Sequence, residues 1–282
     1  MDWMDRLQQP KYWLLGISAA FVALHLTLAH RSDNSELFTT SLLFWIVAGS
    51  LVWDQRQHLQ FQSSILPSAI GVALLAALLV RSAALPTATT FLEVFPLVAV
   101  LGMALLASGF RGLPQYWKEL LIFGLFALHT LLTMLFQSAN MSELTAIVST
   151  SLLQFMGFSV VRDGTFLNLP TGRVEVYDFC SGVQSTLQML NISVLFLMMF
   201  SLRSRLQQIL CIGVAMILGF MVNAVRVALM AILVAFSNKT AFQYWHGGDG
   251  SLIFSAISVL LFGGFCWLVF LREPAQAPSS GV

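Results

Sequence analysis

The sequence predicts an all-α integral membrane protein of about eight transmembrane helices, with one outer-side extramembrane segment ahead of a cysteine motif. Three observations carry this. Of 282 residues, 57% are hydrophobic and 10% are charged, whereas soluble domains carry about a quarter charged residues. Mean hydropathy is +0.81. The apolar residues also gather in runs near the ~20 that a helix needs to cross a hydrocarbon core of ~30 Å.

Eight runs approach that length: Tyr12 to Ala29, Leu37 to Trp53, Ile65 to Val80, Phe91 to Phe110, Leu120 to Phe136, Val183 to Phe200, Ile209 to Phe236 and Leu252 to Leu271. The third is short. The seventh is too long for one perpendicular crossing, and tilt, a kink or extension into the outer interface all stay open. Further spans follow the first run and no small-residue cleavage pattern precedes a soluble domain, so the first span is expected to stay attached. Net charge is +1, with cations scattered singly between apolar runs. The lipid bilayer is the expected partner and nucleic acid is not.

Orientation follows from lysine and arginine, which concentrate in short cytoplasmic loops. With the N-terminus inside, Arg6, Lys11, Arg56, Arg111, Lys118, Arg203, Arg205 and Arg272 fall inside, eight of the 14 basic residues. Arg31, Arg81, Arg162, Arg173 and Lys239 fall outside, and Arg226 lies within a span. Both termini are then cytoplasmic, in a plasma (inner) membrane. The expected organisation is an N-terminal five-span half over 1–136, an extracytoplasmic segment over 137–182, a C-terminal three-span half over 183–271 and a disordered tail over 272–282.

In the extracytoplasmic segment, Leu144, Ile147, Val148, Leu152, Phe155 and Met156 recur at helical spacing after Ser142 and Glu143. This predicts an amphipathic helix along the outer surface. From Val160 to Val176, β-branched residues alternate with two turn signals, Asp163-Gly164 and Leu169-Pro170-Thr171-Gly172, which predict a small hairpin. The hairpin delivers Tyr177-Asp178-Phe179-Cys180-Ser181-Gly182 to the membrane edge.

Of three cysteines, Cys211 and Cys266 lie in apolar runs and read as small buried hydrophobes, so Cys180 is the candidate nucleophile. Arg226 lies 17 residues past Ile209, roughly 26 Å along a helix, and thus near the outer boundary. His246 follows, in Tyr244-Trp245-His246-Gly247-Gly248, read as a short outer loop. Cys180, Arg226 and His246 therefore share a depth. A thiolate is the nucleophilic form of cysteine. An imidazole can take the thiol proton and return one to a leaving amine, and a guanidinium can donate to a developing oxyanion. An arginine inside a membrane costs ~2.5 kcal/mol or more, so its presence argues for function over snorkelling. Asn223 shares the Arg226 face and can bond the guanidinium or a backbone group. Asp178 can steer the histidine or an incoming amine, or is simply an exposed turn residue. His25 and His30 rank below His246 as bases because no polar cluster adjoins them.

Phe179-Cys180-Ser181-Gly182, then Asn223-Ala224-Val225-Arg226, then His246-Gly247-Gly248-Asp249-Gly250, in that order between spans, resemble the exosortase/archaeosortase family of membrane cysteine transpeptidases. The resemblance spans roughly Gly157 to Phe262, and the lead-in Leu169 to Tyr177 is similar to the cyanobacterial branch. Phe179 departs from the small residue that many members place before the cysteine. The resemblance implies that Cys180 is the nucleophile, Arg226 the oxyanion stabiliser and His246 the general acid/base. It implies exported protein substrates ending in a recognition motif, a transmembrane helix and a basic tail. No metal or organic cofactor is implied. Two competing readings are a rhomboid-like serine protease using Ser181, and a transporter or scaffold in which Arg226 binds an anion.

Overall fold

The computed structural model describes residues 10–84, 88–137, 140–200, 202, 204–247 and 250–272. Arg6, Arg203, Gly248, Asp249 and the expected tail from Pro274 lie outside the described residues. The chain forms two compact units, Met1–Leu132 and Thr133–Val282.

The first unit contains α1 (Pro10–Arg31), α2 (Ser35–Gln55), α3 (Ile65–Ala83), α4 (Thr89–Gly112), a 3₁₀ turn (Leu113–Tyr116), α5 (Trp117–Ala127) and the start of α6 (His129–Gln137). Asn34 caps α2, its side chain accepting from the Leu37 amide at 3.0 Å, which satisfies one orphan donor of the first turn. Helices α3 and α4 pack so closely that a Cβ on Gly71 would lie 2.6 Å from the Gly102 carbonyl oxygen. Gly109, at φ +64°, bends α4 near its end. The expected span Leu120 to Phe136 is broken at Leu128 into α5 and α6. Glu93 explains the break: one carboxyl oxygen accepts from the Thr130 amide at 3.3 Å and from its hydroxyl at 2.6 Å, serving free donors that a new helix start exposes.

His25 is wholly buried. The Trp45 indole N–H donates to Nδ1 at 3.0 Å. The ring proton therefore sits on Nε2, which lies 2.8 Å from the Leu92 carbonyl oxygen. Both nitrogens are occupied, so this ring is a packed, neutral structural group.

The second unit contains the rest of α6, α7 (Met141–Phe155), three strands, β1 (Val161–Asp163), β2 (Phe166–Leu169) and β3 (Gly172–Glu175), a 3₁₀ turn (Asp178–Cys180), α8 (Val183–Met199), α9 (Arg205–Ala235), α10 (Lys239–Gly247), α11 (Gly250–Cys266) and a π-helical turn (Trp267–Leu271). The strands form an antiparallel meander, β1-β2-β3, with Arg162 opposite Leu167 and Leu167 opposite Val174. Two turn signals thus join three strands rather than the two of a single hairpin.

Helix α9 runs through most of the over-long seventh run without a kink. At 31 residues it extends about 46 Å, well past a ~30 Å core. Its C-terminal turns are clothed in protein: Val227, Ala228 and Ala231 share a buried cluster with Leu167, Leu169 and Val176 of the sheet region and with Ala146 and Leu153 of α7. Thr171 donates its hydroxyl to the Ala235 carbonyl at 2.8 Å. Helix α7 turns its small face inward, burying Thr145, Ala146, Ser149, Thr150 and Leu153, while Leu144, Ile147 and Phe155 stay exposed.

All eight expected runs are helical where the sequence places them, yet length and composition give six candidate crossings among the described residues: Lys11–Arg31, Ser35–Gln55, Ile65–Ala83, Thr89–Ala127, Arg205–Ala235 and Gly250–Leu271. The 39-residue stretch Thr89–Ala127 contains the Gly109 bend and the 3₁₀ turn, and so joins two expected runs. Val183–Met199, at 17 residues, is apolar but shorter.

Candidate active site

The site lies in the second unit, where β3 runs into the 3₁₀ turn that carries the thiol. The Cys180 amide donates to the Tyr177 carbonyl at 2.8 Å and the Ser181 amide to the Asp178 carbonyl at 3.2 Å. Gly182 follows at φ +81°, a left-handed conformation that glycine adopts without strain. A Cβ there would also lie 2.8 Å from the Asn223 amide nitrogen. Glycine thereby lets α9 approach the turn.

Side chains from two helices hold that turn by its carbonyls. Asn223 of α9 donates to the Cys180 carbonyl at 2.9 Å, the backbone alternative among the two roles expected for it. Thr145 of α7 donates to the Ser181 carbonyl at 2.7 Å. A further bond from Ser149 to the Ala224 carbonyl, 2.9 Å, joins α7 to α9. Each polar group is buried, so losing one partner leaves an unsatisfied group in an apolar setting.

His246 does not sit in a loop, as the sequence reading had it, but near the end of helix α10. Asn238 starts that helix, its side chain accepting from the Ala241 amide at 3.0 Å. Phe242, one turn before the histidine, stacks on the imidazole at 5.2 Å between centroids and 13° between planes. Arg226 reaches the other end of α10: its Nε donates to the Trp245 carbonyl at 3.4 Å and an Nη donates to the His246 carbonyl. Carbonyls in a last helical turn lack intrahelical partners, and a cation there is favourably placed.

Tyr177, to which the sequence reading gave no role, links the parts. Its hydroxyl lies 2.8 Å from Nε2 of His246. In a 3₁₀ turn, side chains three apart eclipse, so the residue ahead of the turn lies over the cysteine that ends it. The available signal was that three-residue spacing inside the polar island. Nδ1 of His246 is buried without a hydrogen-bond partner among the described residues.

Burial pushes the Cys180 thiol above the ordinary thiol range, an effect that the Arg226 charge and the Tyr177 hydroxyl partly offset. Burial, and then the Arg226 charge, push His246 below the ordinary imidazole range. Both shifts favour a neutral thiol beside a neutral imidazole. Asp178 is exposed, and its carboxylate makes no ion pair among the described residues. Ser181 is buried and donates its hydroxyl to the Asp178 carbonyl at 2.6 Å. No group of three or more His, Cys, Asp or Glu side chains that could hold a metal occurs among the described residues.

A polytopic helical membrane protein with a thiol, a phenol, an imidazole and a guanidinium in one cluster can perform nucleophilic chemistry at a membrane boundary. The family model for transmembrane exosortases matches residues 30–263, most of the chain, and the protein belongs to that family, whose members are membrane proteases and transpeptidases acting on exported proteins. Comparison with curated proteins and with solved structures finds no match.

Proposed function

We propose that this protein is a membrane cysteine transpeptidase that cuts the C-terminal sorting signal of exported proteins through an acyl-thioester on Cys180. The observation that carries the reading is the hydrogen bond from Tyr177, at the start of the turn that bears Cys180, to His246, whose helix end Arg226 holds, in a chain of this family.

The thiol gives up its proton toward His246 and sulfur attacks the scissile carbonyl. The resulting oxyanion accepts from donors of Arg226 that the Trp245 and His246 carbonyls leave free; a guanidinium has five N–H bonds. Collapse breaks the C–N bond, forms the thioester and releases an amine that takes the proton from the imidazolium. Water or a second nucleophile then attacks the thioester and regenerates the thiol. Asn223 and Thr145 hold the nucleophile's backbone against movement during these steps. The substrate presents a recognition motif, a transmembrane helix and a basic tail, with its scissile bond at outer depth beside α8, α9 and α11. The site opens on the extracytoplasmic face of the plasma (inner) membrane, with cytoplasmic termini.

Co-expression with a candidate substrate tests this. Cys180→Ala abolishes processing, Ser181→Ala retains it, and a hydroxylamine-sensitive substrate fragment is found on Cys180 by mass spectrometry. Processing that survives Cys180→Ala but not Ser181→Ala would transfer the chemistry to the serine.

A further inference from the structure

We infer that Tyr177 is the positioning residue of the general base: its phenol oxygen accepts the Nε2–H of His246 and leaves Nδ1 as the nitrogen that takes the thiol proton. The assignment rests on the thiol chemistry proposed above. The phenol oxygen lies 2.8 Å from Nε2.

A neutral imidazole has one N–H and one lone pair, and a hydroxyl can serve either. Two observations choose between them. Nδ1 is buried without a hydrogen-bond partner among the described residues, so a proton placed there would be a buried donor with no acceptor. Orphaned acceptors are tolerated more often than orphaned N–H groups. Nδ1 is also the ring nitrogen nearer its own backbone, where the Arg226 guanidinium binds the His246 carbonyl. A positive charge on that side favours a lone pair over an N–H. The proton therefore sits on Nε2, and the phenol oxygen receives it. The phenol's own hydrogen turns to water, which the 42% exposure of Tyr177 allows.

The ring is then held on three sides. The phenol takes Nε2–H, Phe242 stacks on the face at 5.2 Å, and Arg226 binds the Trp245 and His246 carbonyls. A base oriented by a third group is the general pattern of sites with an activated nucleophile. In the forward step S–H breaks and Nδ1–H forms, giving thiolate and imidazolium. The Nε2–H bond to the phenol becomes charge-assisted and strengthens. That gain belongs to the charged state, not the resting ring, so it appears in kcat and not in KM. Reversal hands the Nδ1 proton to the leaving amine, and the Nε2 proton never moves.

The test uses full-length protein in lipid nanodiscs with isotope-labelled histidine, at a pH above the ordinary imidazole range. The carbon and nitrogen shifts of the His246 ring, assigned by their loss in His246→Gln, report which nitrogen holds the proton. The expected tautomer is Nε2–H, and an Nδ1–H ring in the unaltered protein overturns the assignment. Tyr177→Phe keeps the aromatic ring beside the imidazole and removes only the oxygen. With a substrate it loses about tenfold in kcat, the strengthening of one hydrogen bond as its donor becomes charged, with KM unchanged, and its imidazole becomes a mixture of tautomers. Full kcat, or a loss carried by KM alone, overturns the positioning role. Should Tyr177→Phe fail to fold, the tautomer of the unaltered protein decides by itself. Cys180→Ala is read separately: processing that survives there sinks the thiol chemistry, whereas an Nδ1–H ring beside an inactive Cys180→Ala sinks the positioning role alone.

Discussion

Arg226 is partly committed before any substrate arrives. Its Nε and one Nη bind the carbonyls that end α10, which pins the helix carrying His246 to the helix carrying Asn223. The same charge lowers the Cys180 thiol and lowers the His246 imidazole, one shift helping the nucleophile ionise and the other opposing the base. Replacing Arg226 by Gln removes both influences, and the signs follow directly. The thiol titrates still higher, so alkylation of Cys180 at a fixed pH near 8 slows. The imidazole titrates higher as well, so the acid limb of the processing profile moves to higher pH. Under the oxyanion role proposed for Arg226, its loss lowers kcat further, by about 10²-fold or more. Unchanged alkylation with a displaced acid limb would show that the charge reaches the imidazole and not the sulfur. Cys180, Arg226 and His246 stood out in sequence as a thiol at the entrance to an apolar run, a cation inside one and an imidazole between two. Tyr177 was not, since tyrosine at a membrane boundary is ordinary, and Thr145 gained meaning only once α7 docked beneath the turn.

Among the elements, α7 and α10 show why patterns mislead at a membrane edge. In α7 the apolar stripe was legible, but protein covers the opposite face, because Ala146 and Ser149 let the helix close on Ala224 and Ala228 of α9. In α10, glycines after His246 suggested a loop, whereas the helix start depends on Asn238 and one side-chain bond. Small residues also decide how α8 and α9 meet. A Cβ on Gly219 would lie 2.6 Å from the Ser185 carbonyl oxygen and 2.9 Å from Met189, and a backbone oxygen cannot swing aside. Gly213 lies in the same helix with nothing within 4 Å. Gly219→Ala is therefore expected to destabilise by about 1–3 kcal/mol through overpacking. Gly213→Ala, free of contacts, is expected to be neutral or stabilising by up to ~1 kcal/mol from helix propensity alone. Thermal unfolding of the two variants in one detergent checks the pair, and equal melting temperatures would contradict the close approach of α8 and α9.

For the molecule as a whole, the length of α9 ties fold to topology. A helix of 31 residues outruns the hydrocarbon by about ten residues, and the sheet and α7 cover the surplus at the end nearest Arg226. That end carries the candidate site, so the proposed function requires the sheet to lie on the side on which peptides would be cut. The charge bias that predicts this side is a modest excess, eight basic residues against five, and it rests most on short loops such as the one before α9. Single cysteines placed in a Cys180→Ala background decide it, because Cys211 and Cys266 are buried and stay silent. Asp163→Cys, on the exposed strand β1, is expected to react with a membrane-impermeant maleimide in intact cells. Gln208→Cys, exposed in the first turn of α9, is expected to react only after permeabilisation. The reverse pattern would put Tyr177, Cys180 and His246 on the cytosolic face, where a protein already exported presents no scissile bond, and would require a different class of substrate for the same cluster of side chains.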